Sequence, residues 1–392
     1  MNSDKSLRRV CVVTGSRAEY GILRPLLLAI REASDLALQL CVTGAHLDPA
    51  FGETWHQIVA DGFTIDEKVA LELEGDSGVA TAVALGVGTA GFAQALSRLA
   101  PDLVVILGDR YEILAVASAA LLLRVPVLHI HGGEKTEGAI DESIRHAVTK
   151  LCAIHCVAAE EFARRVRQLG EQPECVHTVG TLALDAIASA TLLDRKELQK
   201  ELGFELKPPI LVVTYHPETA DRKGSGVAHL LEALGRLRDT RIVITLPNAD
   251  PGHLALRSDL QKWADDRPDH VRAFGSLGSV RYWSVLQYAQ AVVGNSSSGL
   301  IEAPFLGIPT VNIGTRQQGR PRAQSVLDCP MDADCIVAMI ERAQLPKMKA
   351  IAARRQSPYG LPGAAERIVE IIKGADLDSL RIKEFRDLNF DD

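Results

Sequence analysis

The 392-residue sequence predicts an α/β fold made of two Rossmann-like doubly wound domains with an interdomain cleft. Three observations carry that expectation. Short runs rich in Val, Ile and Leu recur between longer helical patterns, and their hydrophobicity is continuous rather than alternating, which marks strands covered on both faces. Helical patterns separate these runs, as right-handed βαβ units of a parallel sheet require. The chain is also too long for one core, because domains run to roughly 100–200 residues.

In order, the first set of strands is predicted at Val10–Thr14, Leu38–Thr43, Leu103–Leu107, Val125–Ile130 and Ile154–Ala158. The second set follows at Ile210–Thr214, Arg241–Thr245, Val271–Phe274, Ala291–Val293 and Thr310–Ile313. Between the sets, a charged stretch leads to Lys207-Pro208-Pro209, so residues 190–209 read as an interdomain hinge. The expected domains are 1–190 and 205–365, with 366–392 a C-terminal helix packing back on the first. The apolar run Ile113–Leu123 is too short for a membrane span of about 20 residues and predicts a buried helix.

A formal charge of −7 with no run of Lys and Arg argues against nucleic acid as the main partner. The seven cysteines form no CxxC pair and sit mostly in apolar segments, as reduced buried thiols of a cytoplasmic protein would. The first nine residues lack the apolar stretch of a secretory signal, and no membrane association is expected.

Chemistry is expected where strands break into polar turns. Val10–Thr14 runs into Gly15-Ser16-Arg17-Ala18-Glu19-Tyr20-Gly21 and then a helix. That crossing sets backbone N–H groups, a positive helix end and a guanidinium at a sheet's carboxyl edge, where phosphate esters bind. Leu103–Leu107 delivers Asp109 and Arg110 to the same edge. The next strand ends in His131-Gly132-Gly133-Glu134, followed by Glu137, Asp141, Glu142 and Arg145. Carboxylates crowded in a cleft have raised pKa values, which acid–base work at neutral pH requires; a solvated acidic loop capping a helix is the plainer alternative.

In the second half, Tyr215-His216-Pro217-Glu218 places His216 at the cleft mouth, as a general acid to a phosphate leaving group or a donor to a diphosphate. Asn295-Ser296-Ser297-Ser298-Gly299 opens a helix with hydroxyls and free N–H groups. Glu302 lies further along as an acceptor for ribose hydroxyls, and Arg316 and Gln317 follow the next strand. Glu19, His46, Arg110, Glu137, Arg145, Asn248 and Arg281 complete the candidate binding set.

Two motifs point elsewhere. Gly86-Val87-Gly88-Thr89-Ala90-Gly91 matches GxGxxG, with Asp109 near the spacing of a ribose-binding acid, as in an NAD-dependent oxidoreductase. Its context is helical rather than strand-like, and helical glycines would dismiss it. Ser296–Ser298 hints at a nucleophile elbow but is not GxSxG. There is neither HExxH nor a Cys/His ligand cluster, so no metal is expected.

From about Arg9 to the final helices the chain resembles the UDP-N-acetylglucosamine 2-epimerases, in particular their hydrolysing branch. GSRAEYG, LGDRYE, HGGE…IDESIRHA, HPET and GNSSSGLIE…NIGTRQ match in order. Gly15-Ser16-Arg17-Ala18-Glu19 stands where the non-hydrolysing branch usually has GTRPE, which favours hydrolysis. The resemblance implies a glycosyltransferase-B-like fold with a UDP-sugar between the lobes and no cofactor. Arg17, His216, Ser296, Ser297, Glu302 and Arg316 match positions that bind the nucleotide diphosphate, and Asp109 and Asp141 match catalytic carboxylates. It further implies anti-elimination of UDP through a 2-acetamidoglycal, closure of the hinge against water, nonulosonic (sialic or legionaminic) acid synthesis, and a homodimer or homotetramer. A non-catalytic nucleotide-sugar binding protein is the other class compatible with the ligand half of the pattern.

Two departures stand out. His129-Ile130-His131 replaces the family's H-I-E, with one additional residue before Asp141, so proton transfer falls to His131, Glu134 or Glu137. Tyr359-Gly360-Leu361-Pro362-Gly363 replaces the usual P-Y-G-D-G.

Overall fold

A computed structural model describes residues 7–72, 77–136, 140–217, 226–247 and 253–388. The Val/Ile/Leu runs of the first half become β1 (Arg8–Thr14), β2 (Leu36–Thr43), β4 (Leu103–Leu107), β5 (Val127–Ile130) and β6 (Ile154–Val157). With β3 (Glu67–Val69) and β7 (Val176–Thr178) they form a parallel sheet of order β3-β2-β1-β4-β5-β6-β7. Its helices are α1 (Arg17–Glu32), α2 (Trp55–Ala60), α3 (Gly78–Leu99), α4 (Tyr111–Leu122), α5 (Ile140–Leu151), α6 (Glu160–Gln168) and α7 (Leu182–Ser189).

The second half holds α8 (Arg195–Leu202), β8 (Ile210–Thr214), α9 (Gly226–Gly235), β9 (Arg241–Thr245), α10 (His253–Asp265), β10 (Val271–Phe274) and α11 (Ser279–Leu286). Then come β11 (Ala291–Gly294), α12 (Ser298–Leu306), β12 (Thr310–Ile313), β13 (Val326–Cys329), α13 (Ala333–Gln344) and α14 (Pro346–Ala352). Its parallel sheet has the order β10-β9-β8-β11-β12-β13. Strand order reverses between β1 and β4 in one sheet and between β8 and β11 in the other. In such sheets ligands bind beyond the carboxyl ends of the strands at the reversal.

Continuous hydrophobicity has its cause in the packing. Val10, Val12, Leu40, Val42, Leu103 and Val105 face α1, while the intervening Cys11, Val13, Cys41, Val104 and Ile106 face α3 and α4. Successive strand residues point to opposite faces, so both sets must be apolar. The three strands that sequence patterning passes over, β3, β7 and β13, are sheet-edge or near-edge pieces of three or four residues.

By its contacts the chain divides into one unit of residues 1–134, 140–186 and 360 onward, and a second of Lys135–Ala139 and Ile187–Tyr359. The break therefore precedes the stretch 190–209. That stretch holds α8, closed by a capping box in which Asp194 accepts from Glu197 N at 2.8 Å and Glu197 accepts from Asp194 N at 3.2 Å. A helix capped this way is a folded element and not a linker.

The last helix, α15 (Ala364–Gly374), belongs to the first unit, where Ala364, Ala365, Ile368, Val369 and Ile372 join the core with α1. Its amino end is capped by Asp185 of α7, which accepts from Gly363 N (2.5 Å), Ala364 N (3.2 Å) and Ala365 N (2.6 Å). This distant carboxylate covers the helix start where Leu361-Pro362 departs from the family's P-Y-G-D-G. Beyond α15, Lys383 Nζ donates to the carbonyls of Thr149 (3.3 Å), Lys150 (2.9 Å) and Cys152 (2.6 Å), closing the carboxyl end of α5. It also meets Glu171 at 2.6 Å, and Glu171 is 1% exposed and bound by Lys150 (2.6 Å) and His155 (2.9 Å).

One expectation about helices holds and one changes. The GxGxxG glycines lie inside α3, where a Cβ on Gly88 would strike Leu71 and one on Gly91 would strike Val69. They let β3 and the segment after it approach the helix, so no dinucleotide turn exists there and the oxidoreductase alternative falls. The helix predicted at Ile113–Leu123 is buried only through Ala120; Leu121, Leu122 and Leu123 are 47%, 79% and 40% exposed because they extend past the apolar cluster. Among the described residues, α3 is the helix long and apolar enough to cross a membrane, and it packs on α4 through Phe92, Ala95 and Leu96.

Candidate active site

In the first unit, the turn after β1 opens α1, with Ser16 accepting from Glu19 N at 3.4 Å. Arg17 is exposed at this edge. Glu19 instead turns inward, accepting from Gly15 N at 2.8 Å; burial, opposed by that bond and reinforced by Glu112, pushes its carboxyl up to about 8. His46 is also buried and pushed down to about 4 by burial, with Nε2 on Thr14 Oγ1 (3.2 Å) and Nδ1 on Thr54 Oγ1 (2.8 Å). Glu19 and His46 thus support the turn from beneath. Arg110 Nε donates to Glu112 Oε1 at 2.7 Å, and Glu112 is 1% exposed.

The turns after β4 and β5 are tied together. Buried Arg145, from α5, pairs with Asp109, meets Glu142 Oε2 at 3.2 Å and donates to Glu134 O at 2.9 Å. The guanidinium's planar fork fixes the direction of the carboxylates it meets. Asp141 and Glu142 sit in the first turn of α5, where the helix end favours negative charge.

His131 adopts a left-handed backbone, φ +67°, with its N–H on Cys156 O at 3.1 Å. Its Nδ1 lies 2.7 Å from Glu134 Oε1, and its Nε2 lies 3.2 Å from Thr181 Oγ1. Gly133, φ +74°, passes so close to α6 that a Cβ would overlap the Phe162 carbonyl, and Arg165 donates to the Gly133 carbonyl. His129 is buried, pushed down to about 3 by burial, and reaches Gly108 O at 2.8 Å, bracing the turn that carries Asp109.

In the second unit the hub is Asn295, fully buried at the end of β11. Its Oδ1 accepts from His216 N (2.7 Å) and its Nδ2 donates to His216 O (2.9 Å), stitching the turns after β8 and β11 across the strand reversal. Its own carbonyl accepts from Arg316 Nη1 (3.1 Å) and Gln317 Nε2 (2.8 Å), while Gln317 Oε1 is buried without a hydrogen-bond partner among the described residues. At α12, Ser297 is the cap residue, Ser296 Oγ accepts from Ser298 N (3.4 Å), and Ser298 Oγ meets the Tyr282 hydroxyl at 2.6 Å. Burial pushes Glu302 up to about 7 against a hydrogen bond from Trp283. Arg281 is turned to Leu277 O at 2.7 Å.

Two candidates, Glu137 and Asn248, lie outside the described residues, as does Glu218. Strand-end reasoning missed Thr181, Arg165 and His129 in the first unit and Tyr282 in the second. Asn295 stood within a quoted motif without a role. Its place at a strand reversal was the one available signal.

The family profile described as UDP-N-acetylglucosamine 2-epimerase matches residues 28–373. This chain belongs to that enzyme family, and its fold is the two-domain, parallel-sheet α/β fold of glycosyltransferase-B type. Among its relatives is a Campylobacter jejuni protein named GDP/UDP-N,N'-diacetylbacillosamine 2-epimerase (hydrolyzing), 37% identical over 98% of this chain and 100% of its own length. The polysialic acid biosynthesis protein P7 of Escherichia coli is 37% identical over 97% of each chain. The Legionella pneumophila UDP-N,N'-diacetylbacillosamine 2-epimerase (hydrolyzing) is 34% identical over 95% of this chain and 97% of its own. The crystal structure of UDP-GlcNAc 2-epimerase from Neisseria meningitidis bound to UDP-GlcNAc superposes with a TM-score of 0.79 at 18% identity, covering 94% of this chain and 100% of that one.

Proposed function

We propose that this protein is a hydrolysing nucleotide-sugar 2-epimerase. It converts UDP-GlcNAc or UDP-N,N'-diacetylbacillosamine and water to UDP and N-acetylmannosamine or 2,4-diacetamido-2,4,6-trideoxymannose, for nonulosonic acid biosynthesis. The observation that carries this reading is the tied set of Asp109, Arg145, Glu134 and His131 at the carboxyl edge of β4 and β5. Relatives named for the same type of reaction support it.

Removal of the C2 proton and departure of UDP leave a 2-acetamidoglycal. The hydroxide part of water then adds at C1 while a proton returns to C2 from the other face. One base and one acid are needed, drawn in this proposal from Asp109, Asp141 and the His131–Glu134 segment. The start of α12 with Ser296–Ser298, together with Arg316 and His216, receives the departing diphosphate. Preorganised donors of this kind contribute about 3 kcal/mol each to such steps. Glu302 takes the ribose hydroxyls, and Arg17 a phosphate.

Incubation with each UDP-sugar in D2O tests the reaction. Free UDP and a 2-epimeric sugar carrying deuterium at C2 are expected; tight binding with no turnover would make the protein a nucleotide-sugar binder instead. We place the enzyme in the cytoplasm, consistent with seven free cysteines. We further propose a homodimer or homotetramer using exposed Val79 and Val83 of α3, which are 77% and 58% exposed. A monomer in sedimentation equilibrium at micromolar concentration would remove that part.

A further inference from the structure

We propose that Lys383, in the segment after α15, is a positioning residue of the reaction: it fixes α5 from the carboxyl end and so holds the turn that carries Asp109. The assignment rests on the epimerase reading and deepens it by naming a residue that acts on the site from the far end of a helix. Residues 376–388 follow the 28–373 span matched by the family profile, so that match gives them no part.

The hold on α5 follows from helix chemistry. The last carbonyls of a helix have no partner within it, and a lysine at that end satisfies them and complements the negative pole. The lysine of α5's own last turn is committed elsewhere: Lys150 Nζ donates to Leu169 O (2.9 Å) and to Glu171 Oε1 (2.6 Å). Lys383 supplies the cap instead, donating to the carbonyls of Thr149, Lys150 and Cys152 while it pairs with Glu171. Its neighbours pin it there. Arg386 N donates to Gly170 O at 3.1 Å, and the Phe385 ring lies where a Cβ on Gly170, φ +80°, would stand. Lys150 Nζ is 4.8 Å from the centre of that ring.

From the held end, two lines of contact run to Asp109. The first is α5 itself: Arg145, one turn before Thr149, pairs with Asp109 and donates to Glu134 O. The second passes through Thr149, whose hydroxyl lies 3.0 Å from Arg145 O and 3.3 Å from His129 Nδ1. His129 Nε2 in turn lies 2.8 Å from Gly108 O, the residue before Asp109. A carbonyl only accepts, so the ring proton sits on Nε2 and the imidazole bridges helix and turn. Thr149 and His129 are fully buried, and water does not compete for either contact. A rigid helix passes a shift at one end to the side chains along it, and both lines deliver that shift to the same turn.

The test is Lys383→Met in the full chain, which keeps the length of the side chain and removes its donors. It is expected to lower kcat for the UDP-sugar about 10-fold to 100-fold, the scale on which a misplacement of an ångström or less acts, with KM little changed. UDP is expected to bind with unchanged stoichiometry in calorimetry, showing that the folded fraction is intact. Lys383→Arg restores charge and donors and is expected to regain most of the turnover. Thr149→Val interrupts the second line, and its effect on kcat should combine with that of Lys383→Met less than additively. Amide hydrogen exchange supplies a readout independent of turnover: faster exchange along α5 in Lys383→Met, with the strands of the second unit unchanged. If Lys383→Met does not fold, Phe385→Ala loosens the same segment more gently and carries the same measurements. Native kcat in a folded Lys383→Met protein, unchanged exchange along α5, or a loss of turnover matched by an equal loss of UDP-binding stoichiometry would overturn the positioning role. If α5 loosens as expected but the native protein releases no UDP from either UDP-sugar, the epimerase reading fails and the positioning role with it, while the hold on α5 stands.

Discussion

Replacing Arg145 by methionine will destabilise the protein by about 3–5 kcal/mol, the cost of stranding the partners of a buried ion pair, and will reduce turnover at least about 100-fold. The guanidinium is 3% exposed and serves three elements at once: Asp109 after β4, Glu142 in the first turn of α5, and the Glu134 carbonyl after β5. Methionine fills the space but removes the guanidinium that Asp109 and Glu142 share, and frees the loop bearing His131. Arg145→Lys will fall between, since an ammonium restores charge without the two-pronged geometry. Urea unfolding and UDP release on the same samples check both effects. A variant within about 1 kcal/mol of the native protein would show that Arg145 acts as a surface charge does.

Acidification will weaken the first unit through Glu171. Burial alone would raise this carboxyl, but hydrogen bonds and charges from His155, Lys150 and Lys383 outweigh it and carry the group from an ordinary 4.5 down to about 2. Burial pushes both His155 and Lys383 downward, against the pull of Glu171. A carboxyl depressed on folding binds fewer protons folded than unfolded, so its stabilisation is present above 4.5 and is lost as pH falls towards 2. The linked free energy is about 3 kcal/mol, at about 1.4 kcal/mol per pH unit of displacement. Glu171→Gln will remove this acid limb and leave two lysines against a neutral amide, making the protein less stable at pH 7. Thermal unfolding of both forms between pH 2 and 7 measures it; parallel curves would show that Glu171 contributes nothing to the acid response.

The sheets were legible because both faces of each central strand are covered: Val10–Thr14 and Ile210–Thr214 have no polar alternate to hide the pattern. The edge strands Glu67–Val69 and Val326–Cys329 were not, since solvent on one side readmits charged residues such as Glu67, Lys68 and Asp328. At the site, glycine-bearing breaks after strands pointed to Asp109, His131 and the Ser296–Ser298 turn, while Asn295 in the same turn went without a role. What local spacing hides is which way a side chain turns and what arrives from afar. Glu19 and His46 look like ligand contacts in the one-dimensional pattern, yet burial draws them under the turn. Thr181 reaches His131 across fifty positions and Asp185 reaches Gly363 across 178, joined by topology alone.

The return of α15 to the first sheet orders the birth of the molecule. The ribosome finishes the amino-terminal strands early, but the helix that covers Leu23, Leu27 and Leu36 is translated only after all of Ile187–Tyr359. The second unit is a nearly continuous stretch and can fold as it emerges, whereas its predecessor waits with an open apolar face, a period during which chaperones have something to hold.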